Sequence, residues 1–313
     1  LWTIDADGVT VTDNRILSGS LSDFPGCPAV PASPLVVALR DGLPSNSLAT
    51  PAVEASGESD GLILERNGIV CVRDAEGAGA GFSSDCAALE LNSSPSALSR
   101  TVEVTNNYIT STRGTLLMGL RMENGSGVSL TNNTIEVDYV IGLFGPATPP
   151  PNGSLVKRAV YLINIDDNGI DFVNNLIVSA VDPDWDGTRI GILEETMSTG
   201  SSVGVFAHNL VHVESDATVP MPVDFVLVDS AGSNDIDGSA ALNSLTGATN
   251  VENNLAANPL LNGSVFGEDK PDSRLNSGSA AIDAGRSAGA PSVDLYGNPR
   301  SDGAIDIGHH EVQ

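Results

Sequence analysis

Two acidic pairs, Asp166-Asp167 and Glu194-Glu195, come nearest to residues whose type and spacing could do chemistry. Glycosidic hydrolysis uses two carboxyl groups about 5–9.5 Å apart, one to protonate the leaving oxygen and one to act as base or nucleophile. The two pairs fall on successive repeats of the chain, so Asp166, Asp167 and Glu194 are catalytic candidates. A turn explains the first pair better and without chemistry, because "IDDNG" at 165–169 aligns with "IDADG" at 4–8. The chain's one adjacent basic pair, Lys157-Arg158, stands beside the long loop "FGPATPPPNGS" at 144–154. His208, His212, His309 and His310 form no triad or metal box, and His208 occupies a bend where other repeats carry Asn, Asp or Arg.

Carboxylates on alternate residues of tight turns suit calcium, which prefers oxygen ligands. Three segments have this form: "DADG" at 5–8, "DPDWDG" at 182–187 and "SNDIDG" at 233–238. Asp5, Asp7, Asp182, Asp184, Asp186, Asp235 and Asp237 are therefore metal candidates, although solvated Asx turns account for the same pattern. Trp185, with Phe144 and Tyr139, is a loop aromatic able to stack on sugar.

The composition narrows the partners. Forty acidic residues against 14 basic give a net charge of −26, a surface that repels nucleic acid and anionic membranes. Polyanionic substrates would be repelled too, unless calcium or a local basic patch intervened. No apolar run approaches the roughly 18 residues of a membrane span. Cys27, Cys71 and Cys86 fit no zinc spacing; Cys71 and Cys86 flank one loop and could form a disulfide, and three buried thiols is the alternative. Aromatics are 4% of residues, so the interior must be built from small aliphatics, and 33 glycines with 18 prolines favour short strands and turns.

The elements that would position these residues form a repeat. "LWTIDADGVTVTDN" at 1–14 returns as "LINIDDNGIDFVNN" at 162–175. The shared frame is apolar, x, apolar, x, x, Asn, x, small or apolar, and it recurs with Asn14, Asn67, Asn107, Asn133, Asn175, Asn209 and Asn254. Between successive asparagines lies a further apolar segment, such as "LVVALR" at 35–40, "LLMGLR" at 116–121 or "IGILEE" at 190–195. Uneven spacing between the asparagines suits a solenoid, whose insertions loop out while its core keeps register. Alternation turns Val, Ile and Leu inward, each strand pairs with its counterpart one coil away, and stacked Asn side chains form a ladder at the bend. The loops at 20–34, 72–86 and 138–157 are expected to project outward. The residue after each sheet segment reads Arg40, Asn92, Arg121, Asn164, Glu194, Asp229, a column of mixed sign.

"VTNNYI", "LTNNTI" and "FVNNLI" resemble the right-handed parallel β-helix repeats of the pectate-lyase-like superfamily. The later stretches "NNLAANPLL" (253–261), "SRLNSGSAAIDAG" (273–285), "DLYGNPR" (294–300) and "GAIDIGHHE" (303–311) resemble the ending of bacterial surface β-helix proteins of the choice-of-anchor Q type. Ala280 and His309 depart from that ending, where proline and alanine are usual. The resemblance implies an exported protein of a superfamily that mixes lyases, hydrolases, adhesins and structural proteins. Its lyases use Lys or Arg as base, a role for which Lys157 and Arg158 are the candidates here.

The expectation is an all-β, right-handed parallel β-helix of about seven coils, with coils over 1–262 and a closing segment over 263–313 continuous with them. The leading function is an extracellular structural or adhesive surface protein, self-associating head to tail as a filament-type subunit or covered by another polypeptide. A carbohydrate-active enzyme or carbohydrate-binding β-helix is the alternative, with calcium as the one cofactor the turns suggest.

Overall fold

The computed structural model describes residues 2–4, 8–18, 53–56, 61–72, 85–92, 101–112, 116–137, 155–180, 187–215, 222–262, 273–300 and 304–313. Within them the chain winds through seven coils of three strands. The first coil holds β1 (Trp2–Ile4), β2 (Thr10–Thr12) and β3 (Arg15–Ser18), and the second β4 (Val53–Ser56), β5 (Leu62–Glu65) and β6 (Gly68–Val72). The third holds β7 (Asp85–Asn92), β8 (Val102–Thr105) and β9 (Tyr108–Thr112), and the fourth β10 (Leu116–Glu123), β11 (Val128–Thr131) and β12 (Thr134–Val137). Next come β13 (Leu155–Ile163), β14 (Ile170–Val173) and β15 (Leu176–Ser179), then β16 (Gly187–Glu195), β17 (Val203–Ala207) and β18 (Leu210–Val213). The last coil contains β19 (Val223–Asp229), β20 (Gly232–Ile236), α1 (Ser239–Leu242), β21 (Asn250–Glu252) and β22 (Leu255–Ala256).

Like strands of successive coils stack into three sheets: A from β1 to β20, B from β2 to β21, C from β3 to β22. All the pairings are parallel except that of β20, which runs antiparallel to β19. The chain is an all-β parallel β-helix. One difference from the sequence reading lies in the second coil: 35–40 falls outside the described residues, and Val53–Ser56 takes the sheet A place between β1 and β7. An apolar run alone does not reveal which of two nearby segments will pair.

Alternation builds the core. Val102 and Val104, Val128 and Leu130, and Ile170 and Phe172 lie in register and are buried, whereas Glu103, Ser129 and Asp171 between them face outward. Each buried aliphatic contributes about 1.5–3 kcal/mol relative to exposure. The upper coils add an edge-to-face run, Phe172–Phe206–Phe225, with ring centroids 6.0 and 6.1 Å apart. Sheet A breaks alternation at one row, where Ala88, Gly119, Ala159 and Gly191 occupy equivalent positions. A Cβ on Gly119 would lie 2.5 Å from Ile135 Cγ2, and one on Gly191 2.5 Å from the Asp224 carbonyl oxygen. Small residues there let sheet C aliphatics reach the sheet A backbone.

Two residues make each bend between sheets B and C. The first is left-handed: Asp13, Arg66, Asn106, Asn132, Asn174, His208 and Asn253 all have φ between 52° and 58°. The second is a ladder asparagine. Asn133 is typical: its Oδ1 accepts the backbone N–H of Asn107 (2.9 Å), and its Nδ2 donates to the Val104 carbonyl (2.7 Å) and to Asn175 Oδ1 (3.0 Å). The same pattern links Asn14, Asn67, Asn107, Asn133, Asn175, Asn209 and Asn254 without a gap. Asn243, just after α1, takes the next place, its Oδ1 accepting the Asn254 N–H at 2.8 Å.

The last coil is covered by the chain itself, since Leu242 and Leu245 complete the core over it and β20 borders sheet A. The described part of 263–313, residues 273–300 and 304–313, lies along the flank of the helix as a strap. Leu275, Ala281 and Ile307 pack on Leu176, Val178 and Leu210 of sheet C. The left-handed bend residues hold its backbone: Asn106 to Val293 O (2.5 Å), Asn132 to Asp306 O (3.0 Å), Asn174 to Arg286 O (2.7 Å), and His208 Nδ1 to Ala284 O (2.9 Å). Inside the strap, buried Arg300 donates to Glu311 Oε2 (2.5 Å), Gly308 O (2.8 Å) and Asn106 Oδ1 (3.1 Å). Asp294 accepts the N–H groups of Tyr296 and Asn298, and Asp306 those of Asp283 and Val312. The Asp, Arg and Glu of "DLYGNPR" and "DIGHHE" are thus the polar interior of the strap.

Candidate functional site: the outer face of sheet A

Outward positions of sheet A fall into rows fixed by strand register. One row runs Glu90, Arg121, Tyr161, Leu193, Val226; a second runs Met118, Arg158, Ile190, Val223; a third runs Glu123, Ile163, Glu195, Val228. Polar groups gather on the middle coils. The Arg121 guanidinium bridges Glu90 and Glu123. Tyr161 donates its hydroxyl to Glu195 Oε2 at 3.0 Å, and Arg158 Cζ lies 4.5 Å from the Tyr161 ring centroid. Burial, reinforced by Glu195, raises the Tyr161 pKa, which keeps the hydroxyl a donor. Arg158 makes no ion pair among the described residues, and its Nε has no hydrogen-bond partner. Towards the last coil the same face turns apolar, with Ile190, Leu193 and Val226 packed among Tyr161, Val223 and Val228.

The structure separates the residues singled out from the sequence. Lys157 points inward, wholly buried, and its Nζ donates to the Ala180 carbonyl (2.9 Å) at the corner of sheets A and C. Its neighbour Arg158 faces outward, so the basic pair is divided between core and surface. Asp166 and Asp167 are exposed in a turn closed by Gly169 N–H to Asp166 O at 2.7 Å. Glu194 faces the core, accepting Ser201 Oγ (2.6 Å) and the Ser202 N–H (2.5 Å). Burial pushes its pKa up against those hydrogen bonds. Glu194 is in register with Leu162, five residues along β13 from Lys157, roughly 16 Å away at the rise of a strand. These five residues do not form one site.

The column read from the ends of the sheet A segments is also not a column. Arg121 pairs with Tyr161 and, beyond it, Leu193, whereas Glu194 belongs to the inward row of Met122 and Leu162. Asn164 has φ of 50° in the following turn, and Asp229 ends β19, its carboxylate held by the N–H groups of Gly200, Ala231 and Gly232. Those donors lower the Asp229 pKa. Arg40 lies outside the described residues. Glu90, Tyr161 and Glu123 escaped notice, and Glu195 was noticed only as the neighbour of Glu194, because the alternation of sheet A slips by one at Gly119 and its equivalents.

Asp5, Asp7, Asp182, Asp184, Asp186, Trp185, Phe144 and Tyr139 lie outside the described residues. Asp235 is on β20, and Asp237 lies beside Asp224, an inward carboxyl of β19 that accepts the Gly238 N–H (2.9 Å). Burial, with Asp237 beside it, raises the Asp224 pKa to about 6. Among the described residues no group of three His, Cys, Asp or Glu is placed to hold a metal ion. Cys71 is disulfide-bonded, and the side chains of Cys27 and Cys86 lie outside the described residues. Among the described residues no helix is long and apolar enough to cross a membrane. Comparison of the chain with protein-family models, curated proteins and solved structures finds no match.

Proposed function

We propose that this chain is an exported adhesive β-helix that holds a polysaccharide along the outer face of sheet A. The observation that carries the reading is Arg158: on a protein of net charge −26 it faces outward, braced against Tyr161, with no carboxylate partner among the described residues. Around it Glu90, Glu123 and Glu195 supply acceptors and Arg121 and Tyr161 supply donors, the mixture that hydroxyl-rich ligands need. Successive coils place one row position after another at about 4.8 Å, so an extended chain of sugars can lie across the polar middle coils of this face. The net negative charge favours a neutral or sparsely charged polymer over a polyanion. Export rests on the resemblance to surface β-helix proteins.

Head-to-tail stacking gains less support, because α1 and β20 occupy the face of the last coil that a second subunit would need.

Titration calorimetry with neutral and uronic polysaccharides tests the proposal. Binding of at least one neutral polymer is expected, weakened about tenfold or more in Arg158→Gln, the loss of a charged hydrogen bond. Binding indifferent to Arg158→Gln would overturn the site. Release of unsaturated product, followed by ultraviolet absorbance, would replace the adhesive reading with a lyase.

A further inference from the structure

Three of the chain's four histidines stand where the strap meets the helix. His208 holds Ala284 O through Nδ1, which must carry the proton because a carbonyl only accepts. Its Nε2 then accepts from Asn253 Nδ2 at 3.2 Å, so the ring bonds as the neutral tautomer. His310 Nδ1 accepts the Leu275 N–H at 3.2 Å, which a protonated Nδ1 cannot do, and Leu275 is an apolar anchor of the strap. His309, 1% exposed, lies between Tyr108 of β9 and Tyr296 of the strap, at 5.5 and 5.8 Å. His212 shares the outer row of sheet C with Val178, which packs in the strap cluster, and its Nε2 is buried without a partner among the described residues.

We propose that residues 273–300 and 304–313 form a proton-sensitive clasp, which lets go of sheet C in mild acid while the coils beneath stay folded. In the docked state two of the four rings use an unprotonated nitrogen as acceptor and two are buried; a protonated ring loses its acceptor or carries charge into a dry contact.

The charged groups around them act in both directions. Arg274 lies over Tyr296 (4.9 Å), the ring that His310 also meets edge-on, and Arg286 pairs with Glu252 near His208 (3.6 Å). Arg274 disfavours a second positive charge beside that ring. Glu136, which accepts from the Tyr108 hydroxyl (2.7 Å) and shares the row of His212, favours one, as does Glu214. At His212 burial outweighs Glu214 and the pKa falls. A ring whose pKa is lowered by docking contributes stability above the ordinary histidine pKa of about 6.5, and that contribution fades as pH falls through it. Release would uncover Leu176, Val178 and Leu210 and the amides of Asn106, Asn132 and Asn174.

Hydrogen exchange read by mass spectrometry at about pH 7.5 and about pH 5.5, corrected for intrinsic rates, tests the clasp. Amides of 273–300 and 304–313 are expected to lose about tenfold or more of their protection in acid, while those of β8, β11 and β14 keep theirs. His310→Asn, which sets an amide oxygen near the place of Nδ1, and His208→Asn, the residue that four other coils carry at the bend, should each dock at neutral pH and resist acid better. Strap protection that is equal at both pH values in the unaltered protein would overturn the proposal. So would acid release that is the same in both variants as in the parent.

Discussion

Asn133→Ala removes the middle rung of the ladder, and the loss can be counted bond by bond. Oδ1 of Asn133 accepts the Asn107 N–H (2.9 Å) and Asn107 Nδ2 (3.0 Å), while Nδ2 donates to Val104 O (2.7 Å) and Asn175 Oδ1 (3.0 Å). Asn107 Nδ2 keeps Leu64 O and Thr105 O, and Asn175 Oδ1 keeps the Asn133 backbone N–H, so neither is stranded. The Asn107 N–H is different: it is buried and Oδ1 of Asn133 is its acceptor. An orphaned buried donor costs about 1–3 kcal/mol, and weakening the other three bonds adds roughly 0.5 kcal/mol each, which gives about 3 kcal/mol. Asn14→Ala is the comparison, because Asn14 is only half-buried and its removal leaves Asn67 Oδ1 still accepting the residue 14 N–H. There the cost should stay below about 1 kcal/mol. Urea denaturation followed by circular dichroism measures both, and hydrogen exchange at the Asn107 amide locates the damage. If Asn133→Ala costs no more than Asn14→Ala, the ladder does not stabilise the bends in the way these distances imply.

Gly191→Ala places a methyl 2.5 Å from the Asp224 carbonyl oxygen and 2.6 Å from Val211 Cγ1, neither of them a flexible chain end. It should destabilise by about 1–3 kcal/mol in the same denaturation assay. Asp224→Asn keeps an acceptor for the Gly238 N–H and abolishes titration. Because the folded state raises the Asp224 pKa from 3.8 to about 6, its contribution is full below the lower value and is lost as pH rises through the upper one. The stability of Asp224→Asn relative to the parent should therefore improve by up to about 3 kcal/mol between about pH 4 and pH 7, as read from paired urea titrations.

The fold was legible because two local signals agree. Period-two alternation places Val102, Val104, Val128 and Leu130 on one face, and an asparagine at a constant offset marks where that face must turn. The outer face of sheet A was less legible for a physical reason. The inward row of Ala88, Gly119, Ala159 and Gly191 is followed by a second inward residue, Leu89, Leu120, Val160 and Ile192, so counting by twos misplaces what comes next. Glu194 falls to the inside and Glu195 to the outside by that slip. The strap was legible as a motif but not as a location, because its partners are amides almost two hundred residues away, as in Asn106 to Val293.

The residue before each ladder asparagine shows how the two signals divide labour. All seven must be left-handed, a conformation that costs most side chains about 1–2 kcal/mol and that Asn or Asp tolerates better. Where the strap passes, the bend carries Asn106, Asn132, Asn174 or His208, each able to donate to a strap carbonyl. In the second coil the position is Arg66, a poor choice for that backbone, and it grips Asp13 of the first coil through Nε (2.9 Å) and Nη2 (2.8 Å) and Glu65 through Nη1. An ion pair this open is worth about 0–1 kcal/mol and is screened by salt, whereas the backbone cost is not. Arg66→Asn should then be close to neutral at low ionic strength, within about 0.5 kcal/mol, and stabilising by about 0.5–1 kcal/mol in molar salt. Urea midpoints of parent and variant, compared across a salt series, measure the crossover. A variant that is destabilised equally at every salt concentration would mean that Arg66 serves the bend by packing of its stem rather than by its charge.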